Sequence, residues 1–270
     1  MVFGIVYVVA LSGDHMKSFE EAQRILDRER DFHDKRFLDN SGQRAEDKFY
    51  LALHNLNTDF FDCVSTLACQ NDTLDYGCGT GDRAIKLRGE AGAKSITGID
   101  ISKEAIKIAT QNIPPNDKTI KFLVDNCEKS SLPSASFDLI YGNGIIHHLE
   151  TDKAAAELTR LLRPDGTFVF YEPLGTNPFI NLYRRLTPNS RSPDEHPLLS
   201  ADFNILRSHL QRIDLTYYGF LTVVALPLYK NPATSSIYRV AAWLDRILFR
   251  YIPLMRFFAW SVLIKAKKPA

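Results

Sequence analysis

Cysteine is scarce in this chain of 270 residues, and its net charge is close to zero. The four cysteines form no CxxC pair, which argues against a disulfide framework and fits a reducing, cytoplasmic compartment. A net charge of +1 gives the molecule no strong pull on nucleic acid, so we expect no nucleic-acid partner. The sequence also has no HxH motif and no paired-acid motif suited to an ion, so we expect no bound metal.

Long apolar runs are few as well. Residues 1–11 are almost wholly apolar, but they are too short for a bilayer and lack the basic start of a signal peptide. A more ordinary, charged start follows at Met16. We therefore expect residues 1–15 to be an upstream extension with no part in function, with a membrane-touching tail as the alternative.

Strand-like and helix-like segments alternate from residue 72 onward. The predicted strands are 72–76, 95–100, 119–124, 137–141 and 167–171. With helical segments between them, this rhythm predicts an α/β domain with a parallel, doubly wound sheet covered on both faces. Residues 17–69, which precede it, have helical patterns and predict an N-terminal helical cap.

The alternation of predicted strands and helices stops after Pro173. Residues 174–213 hold a proline-rich stretch that is too long for a plain connection, so we interpret them as a lid or substrate-binding insertion. The elements predicted after the insertion are a strand at 215–226, an apolar helical segment at 237–258 that bends near Pro253, and a last strand at 260–265. We expect a single domain, made of the cap at 17–69, a ligand-binding core at 70–175, the insertion at 174–213 and C-terminal strands and a helix at 214–268.

A glycine-rich turn after the first predicted strand is the organising motif. It reads Leu74-Asp75-Tyr76-Gly77-Cys78-Gly79-Thr80-Gly81. Glycines at alternate positions let the backbone bend sharply and let a ligand approach without meeting a Cβ. The third glycine comes one residue too early for the dinucleotide fingerprint GxGxxG, and the acids Asp75 and Asp82 would repel a pyrophosphate. The turn favours a ligand with a positive centre, which disfavours an NAD-dependent dehydrogenase.

Polar residues also end the next predicted strands, at the edge where open α/β sheets bind ligands. Asp100 ends the second strand, where a carboxylate accepts both hydroxyls of a ribose. Asp125 and Asn126 follow the third strand and together suit the amino group of an adenine. Asn143 follows the fourth. Each acid alone is more often a solvated loop residue, but this order of positions indicates an adenosyl ligand.

With these motifs the chain resembles the class I S-adenosylmethionine-dependent methyltransferases. The matching stretches are the glycine turn, Gly98-Ile99-Asp100-Ile101-Ser102, Asp125-Asn126-Cys127, Phe137-Asp138-Leu139-Ile140 and Leu161-Leu162-Arg163-Pro164-Asp165-Gly166. The resemblance covers about residues 70–175 well and the later strands loosely. It implies a Rossmann-like sheet of seven strands, the last antiparallel and inserted beside the sixth, and S-adenosylmethionine as the cofactor.

The resemblance also implies the residues that bind this cofactor. They are Asp75, Gly77, Cys78, Gly79, Gly81, Asp100, Ile101, Asp125, Asn126 and Asn143. Asp75 and the glycine turn would hold the methionine part, with Asn143 near that end. Asp100 would bind the ribose, Ile101 would flank the adenine, and the Asp125-Asn126 pair would read the adenine edge.

Methyl transfer from a sulfonium mainly requires positioning, but an oxygen acceptor usually needs a general base. The candidates are His147 and His148 after the fourth strand, Glu172 after the fifth and His196 in the insertion. We rank His148 and His196 level. The alternatives are a structural role for the histidine pair, solvation of a turn by Glu172 and anchoring of its loop by His196. His33 lies in the cap, which would fold over the cofactor.

The C-terminal half carries an excess of positive charge. Between residues 175 and 268, 13 Lys and Arg stand against 5 Asp and Glu. The segment 237–258 combines a wide apolar face with basic residues. We interpret it first as a core helix between strands, with a surface that meets lipid or a long apolar substrate as the alternative.

The residues and the resemblance together predict an S-adenosylmethionine-dependent methyltransferase of a small-molecule acceptor, with a hydroxyl as the preferred acceptor group. One alternative is a non-catalytic regulatory protein that binds the same cofactor. The other is a methyltransferase that acts on a lipid-like molecule or on a nitrogen or carbon atom.

Overall fold

The computed structural model describes residues 13–38, 48–187, 192 and 194–269. Of the predicted upstream extension, residues 1–12 lie outside this part, whereas residues 13–15 open the first helix. Two prolines of the predicted insertion, Pro188 and Pro193, also lie outside the described residues. The insertion is described by its two helices and by the segment that returns to the sheet edge.

Seven strands form one mixed sheet in the order β3-β2-β1-β4-β5-β7-β6. They are β1 (Asp72–Tyr76), β2 (Ser95–Asp100), β3 (Ile120–Val124), β4 (Phe137–Asn143), β5 (Leu162–Pro173), β6 (Gln211–Tyr218) and β7 (Ser261–Lys267). The first five are parallel, and β7 lies antiparallel between β5 and β6. The predicted fold class, with its last strand inserted beside the sixth, is confirmed.

Helices cover both faces of this sheet. They are α1 (Gly13–Leu38), α2 (His54–Ala68), α3 (Asp82–Ala91), α4 (Lys103–Gln111), α5 (Thr151–Leu161), α6 (Pro178–Leu186), α7 (Ser200–His209), α8 (Leu221–Val224) and α9 (Ser236–Tyr251). Short 3-10 turns occur at Lys48–Leu53, Ile146–His148, Leu226–Leu228 and Pro253–Phe258.

Burial on both faces explains why the central strands are continuous apolar runs. In β1, four of the five residues are buried, as a parallel strand between two helical layers requires. One half of the core joins Leu74 and Phe168 to α5 and α7. The other joins Ile96 and Leu139 to α2, α3 and α4.

The sixth strand differs from the prediction, which extended it over 215–226. It ends at Tyr218, because Gly219 takes a left-handed conformation with φ +83° and turns the chain away. The carboxylate of Asp245 then accepts hydrogen bonds from the amides of the next three residues, at 2.7 to 3.3 Å, and so stabilises the start of α8. The apolar run 220–226 is therefore helical rather than extended.

The order of the strands reverses between β1 and β4, which opens a crevice at their carboxyl ends. The glycine turn and the turn after β4 border this crevice. Helix α1 closes it from above: Asp34 accepts hydrogen bonds from the Ser102 hydroxyl and, at 3.4 Å, from the Glu104 amide at the start of α4.

Candidate active site

The glycine turn between β1 and α3 has a backbone that only glycine adopts easily. Gly77 has φ +74° and Gly81 has φ +76°. A Cβ on Gly77 would lie 2.8 Å from Ile145, and one on Gly81 would lie 2.5 Å from Phe122. These two positions therefore exclude a side chain both by conformation and by space.

Asp100 ties this turn to the end of β2. One carboxylate oxygen accepts from the amide of Gly79 and the other from the amide of Ser102, both at 2.9 Å. Burial raises the pKa of Asp100 despite these two bonds. Each oxygen keeps a lone pair for a further donor, as the predicted contact with a ribose requires.

A cavity of about 660 Å³ lies between the strand ends and α1. Of the residues predicted for the site, those that line it are Asp75, Gly77, Cys78, Gly79, Asp100, Ile101, Asn126, Asn143, His148 and His196. The structure thus brings together ten of the fourteen predicted positions, drawn from four strand ends and the insertion.

The other predicted positions, Gly81, Asp125, His147 and Glu172, are not among the residues that line the cavity. The Asp125 carboxylate accepts from the Asn126 amide at 2.8 Å and from the amide and hydroxyl of Ser131 at 2.8 Å. It therefore shapes the loop that presents Asn126, which departs from the predicted direct contact with adenine.

Glu172 lies behind the cavity wall and is fully buried. Its Oε1 accepts from the amides of Ile145 and Ile146 at 3.0 and 2.9 Å, and its Oε2 lies 2.7 Å from Nδ1 of His147. Burial raises the pKa of Glu172 to about 7. Because these contacts occupy both oxygens, we expect Glu172 and His147 to position the turn after β4 rather than to take a proton from an acceptor.

Two side chains of opposite charge line the cavity beside the glycine turn. Asp75 is 3% exposed and accepts from the Tyr141 hydroxyl at 3.0 Å. Burial raises its pKa to about 7, although Tyr141 and Arg83 both act to lower it. Arg83 also lines the cavity, so this corner offers a carboxyl group and a guanidinium to one ligand.

Arg83 is a site residue that the sequence analysis missed. Its Nη2 donates to the Tyr171 hydroxyl at 3.0 Å, and the guanidinium lies 5.5 Å from the ring centres of Phe60 and Tyr171. Its Nη1 is buried and has no hydrogen-bond partner within the described part of the chain. Arg83 lies in the first turn of α3, where a positive charge is unfavourable because it opposes the helix dipole. This unfavourable position was the feature of the sequence that could have indicated a functional role.

Helix α1 contributes Glu29, which the sequence analysis also missed. Its Oε2 lies 3.1 Å from Nδ1 of His148 and 3.6 Å from Nε2 of His33. Burial alone would raise the pKa of Glu29, but its contacts with His148, His33 and Ser192 outweigh burial and hold the pKa well below its usual range. Glu29 is therefore anionic at neutral pH.

His148 is the nearly buried partner of this carboxylate. Burial, followed by the neighbouring His147, lowers the pKa of His148, while Glu29 acts to raise it. The imidazole is therefore neutral at pH 7 and able to accept a proton. Nδ1 of His148 lies 3.1 Å from Oε2 of Glu29 but outside hydrogen-bond geometry, so the contact between the two side chains is electrostatic.

The same three side chains have donor atoms suited to a cation. Glu29, His33 and His148 each offer one ligand atom, and these atoms all lie within 4.8 Å of one another. No sequence motif predicted this cluster of possible ligands, because Glu29 and His33 lie on a helix and His148 lies in a turn more than 100 residues later. The absence of a bound metal stays a prediction.

The insertion closes the cavity together with α1. Arg28 donates two hydrogen bonds to the carboxylate of Asp194, at 2.8 and 2.9 Å, and the hydroxyl of Ser192 donates to Glu29. The amide of His196 donates to the His147 carbonyl at 2.7 Å, and His196 lines the cavity. The two coverings of the site are thus joined to each other.

Comparison with known proteins places the site in a family. Residues 74–170 match a family model described as a methyltransferase domain. The 2-methyl-6-phytyl-1,4-hydroquinone methyltransferase of a Synechocystis species is 39% identical over 108 residues, which are 39% of this chain and 33% of that protein. The O-methyltransferase cnsE of Penicillium expansum is 31% identical over 158 residues, 53% of each chain. The match spans only about a third to a half of these relatives.

The fold has solved counterparts too. Phosphoethanolamine N-methyltransferase 2 of Haemonchus contortus, in complex with phosphomonomethylethanolamine and S-adenosylhomocysteine, superposes with a TM-score of 0.58 at 18% identity. The match covers 87% of this chain and 59% of that one, and it supports the fold alone. Residues 74–170 hold the glycine turn and the strand ends of the cavity, and this part of the chain is similar to class I S-adenosylmethionine-dependent methyltransferases.

Proposed function

We propose that this protein binds S-adenosylmethionine and transfers its methyl group to a hydroxyl of a small molecule. The observation that carries the proposal is the pair formed by Asp75 and Arg83 at the glycine turn. A methionine end carries an ammonium and a carboxylate, and this corner presents one group of the opposite charge to each. A nicotinamide dinucleotide has no such end.

The cavity residues suit the remaining parts of that cofactor. Nη1 of Arg83 is buried and has no hydrogen-bond partner among the described residues. A carboxylate bound at this point would accept a hydrogen bond from it and so remove the cost of the unpaired group. Asp100 faces a ribose, while Ile101 and the side chain of Asn126 border the space for a purine. When bound, S-adenosylmethionine supplies a methyl group that is already activated by its sulfonium.

His148 is the general base in this proposal. The neutral imidazole takes the proton of the acceptor hydroxyl at Nε2, and the Glu29 carboxylate, 3.1 Å from Nδ1, stabilises the imidazolium that forms. Helix α1 covers this part of the cavity and is joined there to Ser192 and Asp194 of the insertion. His196 lines the same cavity, and in this proposal it binds the acceptor molecule and does not act as the general base.

The acceptor atom is the least constrained part of the proposal. The names of the similar proteins include an O-methyltransferase and an N-methyltransferase, and one names a phytyl hydroquinone. Oxygen is preferred here because the site holds a neutral base, which a hydroxyl requires more than an amine does. A hydroxyl on a lipid-like acceptor could also give its proton to His148. A non-catalytic regulatory protein that only binds the cofactor would not need a general base.

Binding of two related ligands tests the cofactor assignment. In Arg83→Gln, S-adenosylmethionine should bind about tenfold or more weakly, since a charge-assisted hydrogen bond is lost. 5′-Methylthioadenosine, which lacks the amino-acid part, should bind with unchanged affinity. Lys86→Gln, on the exposed side of the same helix, is the matched control.

Calorimetric titration with S-adenosylmethionine, 5′-methylthioadenosine and NADH measures these affinities. Failure of the parent protein to bind S-adenosylmethionine would refute the proposal, and equal loss of both adenosyl ligands in Arg83→Gln would refute the role of Arg83. Transfer of a labelled methyl group across a library of hydroxylated acceptors then separates an enzyme from a non-catalytic binder.

A further inference from the structure

Helix α9 has a second apolar face that points away from the core. At about 100° per residue, the buried side chains Tyr238, Ala241, Asp245 and Phe249 share one side of the helix. The exposed ones, which share the side roughly opposite, are Ile237, Val240, Trp243, Leu244 and Tyr251. Trp243 is 58% exposed and Tyr251 is 69% exposed, so this side is not covered by the protein.

The exposed apolar area continues beyond α9. The turn that follows it contributes Leu254, which is 78% exposed, and Phe257. Phe258 of that turn stacks on Phe179 of α6 with ring centres 6.4 Å apart. Helix α6 adds Leu182 and Leu186 on the same side as Phe179. We call α9, the turn at Pro253–Phe258 and α6 with these side chains the C-terminal apolar surface.

The exposed charges of the C-terminal segment that carries most of this surface have one sign. Residues 221–258 contain five basic residues and a single acid, Asp245. Asp245 is 2% exposed, and its carboxylate is used by the amides at the start of α8. The exposed side-chain charges of this segment are therefore all positive.

Three arginines form a row along α9. Arg239, Arg246 and Arg250 are spaced by seven and four residues, which sets them on one line at the border of the exposed apolar side. Arg246 also lies 3.8 Å from Asp59, and it remains 66% exposed. An apolar face bordered by arginines, with Trp and Tyr among its side chains, has the composition of a helix that lies in a lipid interface.

We propose that the C-terminal apolar surface docks this protein onto an anionic lipid bilayer. The arginine row meets the lipid phosphates, and Trp243, Leu244 and Leu254 enter the headgroup boundary. A second copy of the chain fits less well, because the only acid of its own segment 221–258, Asp245, is buried and offers the arginine row no partner. In the part of the chain that the structure describes, no helix is long and apolar enough to cross a membrane.

Docking would also bring the bilayer near the covering of the cavity. Helix α6 ends at Leu186, and the chain then reaches Asp194 and His196, which border the cavity. An apolar acceptor dissolved in the membrane would thus meet the insertion first. This last step rests on the proposed function, whereas the docking itself does not.

Sedimentation with vesicles tests the docking. We expect binding to phosphatidylcholine vesicles that contain 30% phosphatidylglycerol, weakening as salt rises, and little binding to pure phosphatidylcholine. The triple variant Arg239→Gln, Arg246→Gln, Arg250→Gln should lose at least tenfold in partitioning, and so should Trp243→Ser with Leu254→Ser. The control, Lys107→Gln with Lys118→Gln and Lys121→Gln, changes the same number of charges near the opposite sheet edge.

Three outcomes would overturn the proposal. The first is equal binding to vesicles with and without phosphatidylglycerol. The second is unchanged vesicle binding by the triple arginine variant. The third is a dimer in solution that dissociates in Trp243→Ser. Thermal melts of each variant exclude unfolding as the cause of lost binding. Titration with S-adenosylmethionine should be unchanged in the arginine variant, so failure of the docking and failure of the cofactor assignment are read from separate experiments.

Discussion

At the scale of single residues, the buried acid beside the glycine turn makes cofactor binding depend on pH. Burial raises the pKa of Asp75 to about 7, so about half of the free protein holds this carboxyl protonated at pH 7. In the free protein, the stability that the protonated form contributes is lost as pH rises through about 7. A cationic ligand favours the carboxylate, so binding releases a proton.

We therefore expect the affinity for S-adenosylmethionine to rise between pH 6 and pH 8, by at most about tenfold per pH unit. Calorimetry in two buffers with different ionisation heats measures the proton release. Asp75→Asn should bind weakly and without this pH dependence. An affinity that stays constant from pH 6 to pH 8 would show that Asp75 does not change its protonation on binding.

The Glu29–His148 pair predicts a second pH effect, on the rate. His148 must be neutral to accept a proton, and its lowered pKa places the acid limb of kcat/KM below pH 6.5. Glu29→Gln removes the group that raises this pKa, so the limb should move to still lower pH. The plateau rate should drop by about 10- to 100-fold, because the imidazolium loses its carboxylate.

The pH–rate profiles of three proteins check this prediction. Glu21→Gln, an exposed acid on the same helix, should keep both the plateau and the limb of the parent. An acid limb that moves upward or does not move in Glu29→Gln would contradict a role for Glu29 in setting the basicity of His148.

At the scale of elements, α1 and the insertion act as one cover because Arg28 and Asp194 join them. The pair is 47% and 19% exposed, so its loss should change thermal stability little. Asp194→Asn should instead speed the hydrogen exchange of α1 amides and raise the KM for the acceptor several-fold. The exchanged pair, Arg28→Asp with Asp194→Arg, should restore both; a double variant worse than either single one would argue against a direct link.

The parts of the site that the sequence analysis predicted are those read from local order along the chain. The turn at 74–81 and the strand ends at Asp100, Asn126 and Asn143 each follow a recognisable strand, and the parallel sheet brings them to one edge. Glu29 could not be found this way. It lies on a helix dense in charges, where nothing local distinguishes an acid that reaches a histidine 119 residues away from one that faces water.

The elements that differ from the prediction differ for a similar reason. The apolar run 220–226 fits a strand or a buried helix equally well by its pattern. Asp245, more than 20 residues later, decides the matter by holding three amides of α8. The apolar helical segment 237–258 has a bend near Pro253 in the prediction, and in the structure α9 ends at Tyr251 and a 3-10 turn follows from Pro253.

At the scale of the whole molecule, the cofactor site and the proposed docking surface lie on parts of the chain with different charge. The cavity is bordered by Asp75, Asp100 and Glu29, which suits a cationic ligand. The C-terminal apolar surface exposes arginines. A net charge of +1 conceals this division, so it predicts neither the ligand nor the bilayer.

The position of β7 has a consequence for the order in which the sheet forms during synthesis. β7 follows β6 along the chain, yet it lies between β5 and β6 and is hydrogen-bonded to both. Until β7 leaves the ribosome, β5 is an open edge and β6 has no neighbour in the sheet. The nascent chain can therefore assemble the five parallel strands that hold the cofactor residues well before its C-terminal strands join them.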